Sequence, residues 1–253
     1  MKGSIIILMG MLLGVCCMAS PTKGIVGGKH IQGSQETAWV NPYVTDGLVA
    51  MWDGEWNVGG GVHDANATTW KDLIGNRDAT LSGSYSWGSN YWDAQSVSGR
   101  GLARWDGTNL PSNQTWEIVI HPSASSGYGR IVAEGMNVPS PIIRTEANLV
   151  YMYGYGMDAG HSVIGLNNRD IHLHTIVHPS GGMMDYHIDG NSTWTHSTSS
   201  DSLGSAYGYF ANRSDYNRGI DAEYYCVRLY SRVLTAAEIA ANYAIDKERF
   251  GLP

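Results

Sequence analysis

A chain of 253 residues with 43% hydrophobic and 15% charged residues has the composition of a folded globular protein, which excludes a disordered tract. Its formal net charge of -7, without any Lys/Arg run interleaved with aromatics, argues against a nucleic-acid partner, which is set aside. The counts of 32 Gly, 9 Trp and 15 Tyr against 2 Phe, with helix-forming stretches confined to the C-terminus, point to an all-β protein rich in turns.

The chain begins with a targeting pattern. Lys2 is a minimal basic n-region, Ile5 to Val15 is apolar, and Ala19 precedes a cleavage point near Ser20, so residues 1–19 read as a signal peptide. The apolar run is too short for a membrane span, and no span is expected in the mature chain. Val15 stands before Cys16, where a lipoprotein signal takes Gly, Ala or Ser. Plain secretion is therefore preferred, and lipidation at Cys16 or Cys17 stays open. Cleavage leaves Cys226 alone, so no internal disulfide can form and that thiol reads as a small buried hydrophobe. Residues 20–42 are Gly-rich and polar, a linker or lead-in segment, and a single domain follows over 43–253.

From Tyr43 onward, short β-prone runs alternate with turn clusters. In chain order they are LVAMW (48–52), ATL (79–81), GLARW (101–105), WEIVIH (116–121), RIVAE (130–134), PIIRT (141–145) and LVYMYGY (149–155). HSVIGL (161–166), IHLHTIVH (171–178), MMDYHID (183–189), AYGYFA (206–211) and EYYCVRLY (223–230) complete the series. With no helical pattern between them, these runs predict a two-sheet antiparallel β-sandwich rather than a βαβ fold. Gly75-Asn76 suits a turn, and Asp189-Gly190 suits a tight hairpin. One helix is predicted over 235–249. Thr235 and Glu238 form a capping box, Gly251 supplies the stop, and Ile239, Tyr243 and Ile245 or Asp246 give a narrow stripe to lie on the sandwich.

Several phrases then fall into a known order. DGLVAMWDG, TTWKDLIGNRDATL, GLARWDG, TWEIVIHP, HTIVHPSGGMMDYHIDG and the closing YYCVRLYSRVLTAAEIAANYAIDKERFGL resemble successive landmarks of a LamG-like module of the concanavalin A-like lectin/glucanase superfamily. The resemblance spans about residues 43–251 and implies a jelly roll of two antiparallel sheets. Its tail is similar to versions in bacterial surface proteins and phage structural proteins. It implies no single function, because such modules serve as lectins, adhesion modules, glycosidases and spacers. The partner implied is a glycan or a cell-surface or virion protein.

The candidate chemistries differ in the residues they require. The glucanases of that superfamily carry a run of paired carboxylates, E-x-D-x-x-E, which is missing here; Asp221 and Glu223 share a strand, and Glu117 stands alone. No catalytic residue is therefore assigned. His172 and His174 share one face of a strand, and a hairpin at SGGM sets His174 opposite His187, which suggests zinc; the alternative, preferred here, is a packing and hydrogen-bonding role. Calcium at a rim, implied by the resemblance, has Asp53, Asp64 and Asn66 as its hard-oxygen set, though no cofactor is required. Sugar binding calls for exposed rings near polar groups. Trp56, Trp87, Tyr91, Trp92, Tyr153 and Tyr155, all in turn-rich stretches, are the candidates, whereas Trp52, Trp105 and Trp116 read as core.

Overall fold

The computed structural model describes residues 40–125, 129–134, 142–146, 149–153, 170–180, 183–197, 207–212 and 218–253. The first seven elements are β1 (Leu48–Asp53), β2 (Thr69–Trp70), β3 (Ala79–Ser82), β4 (Tyr85–Trp87), β5 (Trp92–Gln95), the one-turn α1 (Ser96–Gly99) and β6 (Leu102–Asp106). There follow β7 (Gln114–Ser125), β8 (Gly129–Glu134), β9 (Ile142–Glu146), β10 (Leu149–Tyr153), β11 (His172–His178), β12 (Met183–Ile188), β13 (Asn191–Ser197), β14 (Tyr207–Phe210) and β15 (Ile220–Tyr230). The chain closes with α2 (Ala236–Phe250).

Two antiparallel sheets result. The first has the order β13-β12-β11-β7-β15-β5-β4, with β1 also paired to β15; the second runs β10-β9-β8-β14-β6-β3-β2. Apolar side chains of both sheets make one cluster between them, so the architecture is the expected β-sandwich. The alternation in WEIVIH explains how β7 serves both of its faces. Trp116, Ile118 and Ile120 enter the inter-sheet core, while Glu117, Val119 and His121 turn outward.

The core is built on tryptophan. Trp52, Trp70, Trp92, Trp105 and Trp116 are all buried, and the rings mesh around Phe210, with Trp52 at 5.1 Å and Trp105 at 5.9 Å from it. Each such ring removes about 150–250 Å² from water, which lets two Phe suffice. Gly208 is what admits this packing, because a Cβ there would run into the Trp105 ring. Trp92, expected in an exposed loop, is instead a core residue, because β5 alternates Trp92 and Ala94 inward.

Several expectations are corrected in detail. The Gly75-Asn76 segment is organised by a side chain rather than by a simple β-turn. Asp72 Oδ1 accepts from the Met51 and Ile74 N–H groups, each at 3.0 Å, and Oδ2 accepts from Arg77 N–H at 3.0 Å. Asp189 and Gly190, with φ of 51° and 77°, make the tight β12–β13 hairpin as expected. The capping box of Thr235 and Glu238 is present, and Gly251 ends α2 at φ 71°. The stripe that α2 buries matches the anticipated one at Ile239 and Asp246 only. It consists of Ile239, Asn242, Asp246 and Phe250, with Tyr243 and Ile245 half-buried at its flanks. The strand expected over 161–166, the signal peptide and nearly all of the 20–42 segment lie outside the described residues.

Candidate ligand-binding site

The outer face of the first sheet has two parts, one covered by α2 and one open. Under α2, Arg228 of β15 donates from Nε to Glu117 Oε2 at 2.9 Å and from Nη1 and Nη2 to Asp246 at 2.9 and 2.5 Å. Asn242 donates to Glu117 Oε2 at 2.8 Å and to the Tyr230 hydroxyl at 2.9 Å, and Tyr43 OH donates to Asp246 at 2.7 Å. Glu117, read as a lone acid, is thus one member of a buried ionic network. Burial pushes its carboxyl up to about 7 against the pull of Arg228, and its Oε1 has no hydrogen-bond partner. The network is sealed and fixes the helix to the sheet.

The open part starts where β15 changes register. Tyr224 pairs with Ile120 but Cys226 pairs with Val119, so Tyr225 is the extra residue of a β-bulge. Tyr225 and Cys226 both end up on the outer face, in the cluster under α2. Tyr225 OH donates to Glu223 Oε2 at 2.7 Å, and His121 Nδ1 lies 3.0 Å from the same oxygen. Asp93 of β5 and His121 of β7 flank Glu223 in direct cross-strand register. The Tyr91 ring packs 5.4 Å from that of Tyr225, which in turn lies 5.4 Å from Phe250. Beside this group opens a pocket of about 430 Å³ lined by His121, Asp170, Ile171, Glu223, Tyr225, Gly251 and Pro253. It joins an aromatic and an aliphatic wall to oriented polar groups, the arrangement a small polar ligand needs.

The residues singled out from sequence are scattered relative to this pocket. Tyr91 adjoins it through Tyr225. Trp56 is half-buried with the Arg249 guanidinium 4.5 Å over its ring. Trp87 donates from Nε1 to the Ala67 carbonyl at 2.9 Å and packs edge-on to Trp70 at 5.7 Å, while Trp92 is interior. Tyr153 ends β10, and Tyr155 lies outside the described residues.

Two of the three residues expected to hold calcium already have partners. Asp53 is buried and clamped by Arg249, Nη1 to Oδ2 at 2.8 Å and Nη2 to Oδ1 at 3.2 Å, so a cation already occupies its carboxylate. Asp64 and Asn66 are exposed, with Asp64 Oδ1 taken by the Asn66 N–H at 2.8 Å.

The histidine trio divides between two faces. Thr175, not His174, stands opposite His187, one residue from the expected register, which sends His187 to the outer face and leaves His172 and His174 inside. There His172 Nδ1 meets Asp189 Oδ2 at 2.7 Å, a bond that raises its pKa, and His174 Nδ1 hydrogen-bonds the Tyr186 hydroxyl. Burial lowers the His174 pKa to about 4. Two imidazoles on one tetrahedral zinc hold their ring centres roughly 5 Å apart. Those of His172 and His174 are 6.4 Å apart. Among the described residues, no group of three or more His, Cys, Asp or Glu is placed to hold a metal.

What sequence reading missed is the set His121, Glu223 and Tyr225. The alternation of Glu223 and Tyr225 along one strand was visible; their meeting with His121 depends on strand order. Asp221, the other acid of DAEYY, instead accepts from the Val97 N–H at 2.7 Å and holds α1.

No protein-family model and no curated protein sequence matches this chain. Solved structures do. A Trypanosoma rangeli sialidase in complex with sialic acid superposes with a TM-score of 0.62 at 14% identity over 81% of this chain and 33% of that one. An HCR/D mutant gives 0.62 at 12% identity over 79% and 52% of the two chains. The binding domain of Paraclostridial Mosquitocidal Protein 1 gives 0.57 at 12% identity over 78% and 52%. The likeness is one of fold. This chain spans a third to a half of those proteins' lengths, so it is a β-sandwich of the kind found within them.

Proposed function

We propose that the chain is a secreted, non-catalytic LamG-like module that binds carbohydrate in the outer-face pocket beside Glu223. The observation that carries this reading is the convergence of His121, Glu223 and Tyr225 on a single open cavity of about 430 Å³. A sugar offers hydroxyl donors and an apolar ring face; Glu223 and Asp170 supply acceptors, and Tyr225 with Ile171 supplies the apolar wall. Both Tyr225 and His121 hold Glu223 in place before a ligand arrives, which reduces the ordering cost of binding. The sandwich fold shared with a sialidase solved with sialic acid agrees with such a role. The partner chemistry is that of a glycan displayed on a surface.

A second reading, a structural or adhesion module of a bacterial surface or virion, draws on a different observation. The rings expected to meet a sugar are largely used internally, Trp92 in the core and Trp56 beneath Arg249.

A glycan array separates the two. Binding of at least one glycan class, lost with His121→Ala and with Glu223→Ala while the variants still unfold cooperatively, is the expected outcome. Silence across the array, or glycan binding indifferent to both changes, overturns the pocket reading.

A further inference from the structure

The same pocket also dictates the charge of what it holds, an inference that rests on the sugar-binding reading. Its ionisable lining is Glu223, Asp170 and His121, and Asp93 stands directly across from Glu223 on the neighbouring strand. Of the cationic side chains close by in sequence, Arg249 is held by Asp53 and Glu55, while Lys247 donates from Nζ to the carbonyl of Pro253, a lining residue, and so offsets one carboxylate at the rim. His121, the base of the pocket, already turns Nδ1 to Glu223.

Among the described residues, the hydrogen bonds to Glu223 fall on Oε2, from Tyr225 at 2.7 Å and from His121 at 3.0 Å. The other carboxylate oxygen, Oε1, is therefore left to accept from a ligand, and the group that fixes it is preformed. The field at this spot is negative. The Tyr91 hydroxyl has its pKa raised first by Glu223 and also by Asp93. An anionic sugar would enter against two carboxylates with one side walled by protein, where charges are less screened than in bulk water. An ammonium would meet a carboxylate oxygen already oriented for a charge-assisted hydrogen bond.

We propose that the pocket selects a cationic amino sugar, its ammonium donating to Glu223 Oε1 and its ring lying against Tyr225. Asp93, in register with Glu223, adds to the field without needing to touch the ligand.

Calorimetric titration of the whole chain with three probes tests this: a chitosan oligomer with free amines, its fully N-acetylated counterpart, and sialyllactose. The free amine is expected to bind roughly tenfold more tightly than the acetylated oligomer, the margin that a charged hydrogen-bond partner adds over a neutral one. The margin should shrink as salt is raised. Glu223→Gln should abolish it, and Asp93→Asn should reduce it, with thermal melts reporting that each variant is folded. Equal or tighter binding of the acetylated or the sialylated probe, or an amine preference that survives Glu223→Gln, overturns the charge selection and leaves sugar binding standing. Failure of all three probes together with a silent glycan array sinks both.

Discussion

Glu117, Arg228 and Asp246 put two carboxylates and one guanidinium out of reach of water, which leaves one negative charge without a partner in a medium that disfavours it. Glu117 is the acid that yields, its carboxyl pushed up by burial while Oε1 has no hydrogen-bond partner. Its pKa is 4.5 when the side chain is free in water and about 7 in the fold. Between those values the folded chain keeps a proton that the unfolded chain has released, so the stabilisation is full below about 4.5 and is lost as pH rises through about 7. At roughly 1.4 kcal/mol per pKa unit, the loss from this group is at most about 3 kcal/mol. Urea unfolding at pH 4.5 and pH 8 should show a decline that Glu117→Gln flattens. A wild-type slope retained in that variant would assign the titration to another group.

At the scale of elements, α2 is the piece that divides the outer face into a sealed and an open half. It is fixed by ions as well as by greasy contact, since Asn242 and Asp246 occupy the centre of its buried stripe. Removing Asp246 would leave both Nη groups of the buried Arg228 without their carboxylate, with Glu117 holding Nε alone. Asp246→Ala is therefore expected to cost about 3–5 kcal/mol of unfolding free energy, measured by denaturant titration. A cost under about 1 kcal/mol, the range of a surface pair, would show that the network does not anchor the helix.

The capping box and Gly251 made α2 legible in the sequence, because both signals act within one turn. Its buried face was legible in part, at Ile239 and Asp246; Asn242 was not, because its burial depends on Glu117 and Tyr230 of the sheet. The longer strands with apolar alternation were readable for the same local reason. Tyr85–Trp87 and Trp92–Gln95 were missed since three or four residues give too short a period to recognise, and Asn191–Ser197 since its sequence NSTWTHS is polar.

For the whole molecule, two sheets packed around tryptophan set the frame, and strand order decides the chemistry. β7 and β15 lie far apart in the chain yet pair along their full length, and this alone brings His121 to Glu223. Plain alternation along β15 sets Tyr225 at the same oxygen, and the bulge keeps Cys226 on that face as well. A one-residue difference in register at β11–β12 works the other way, separating His187 from the two histidines with which it shares a hairpin. The sandwich was readable from pattern and landmark order; the site was not, because it depends on register across three strands.

The most direct test of a ligand site in this place is an amide map. Hydrogen exchange or NMR shift perturbation, read residue by residue while a binding saccharide is added, should show its largest changes at Asp93, His121, Ile171, Glu223 and Tyr225. Changes confined to the glycine-rich loop around Trp56, with those five residues unmoved, would contradict it.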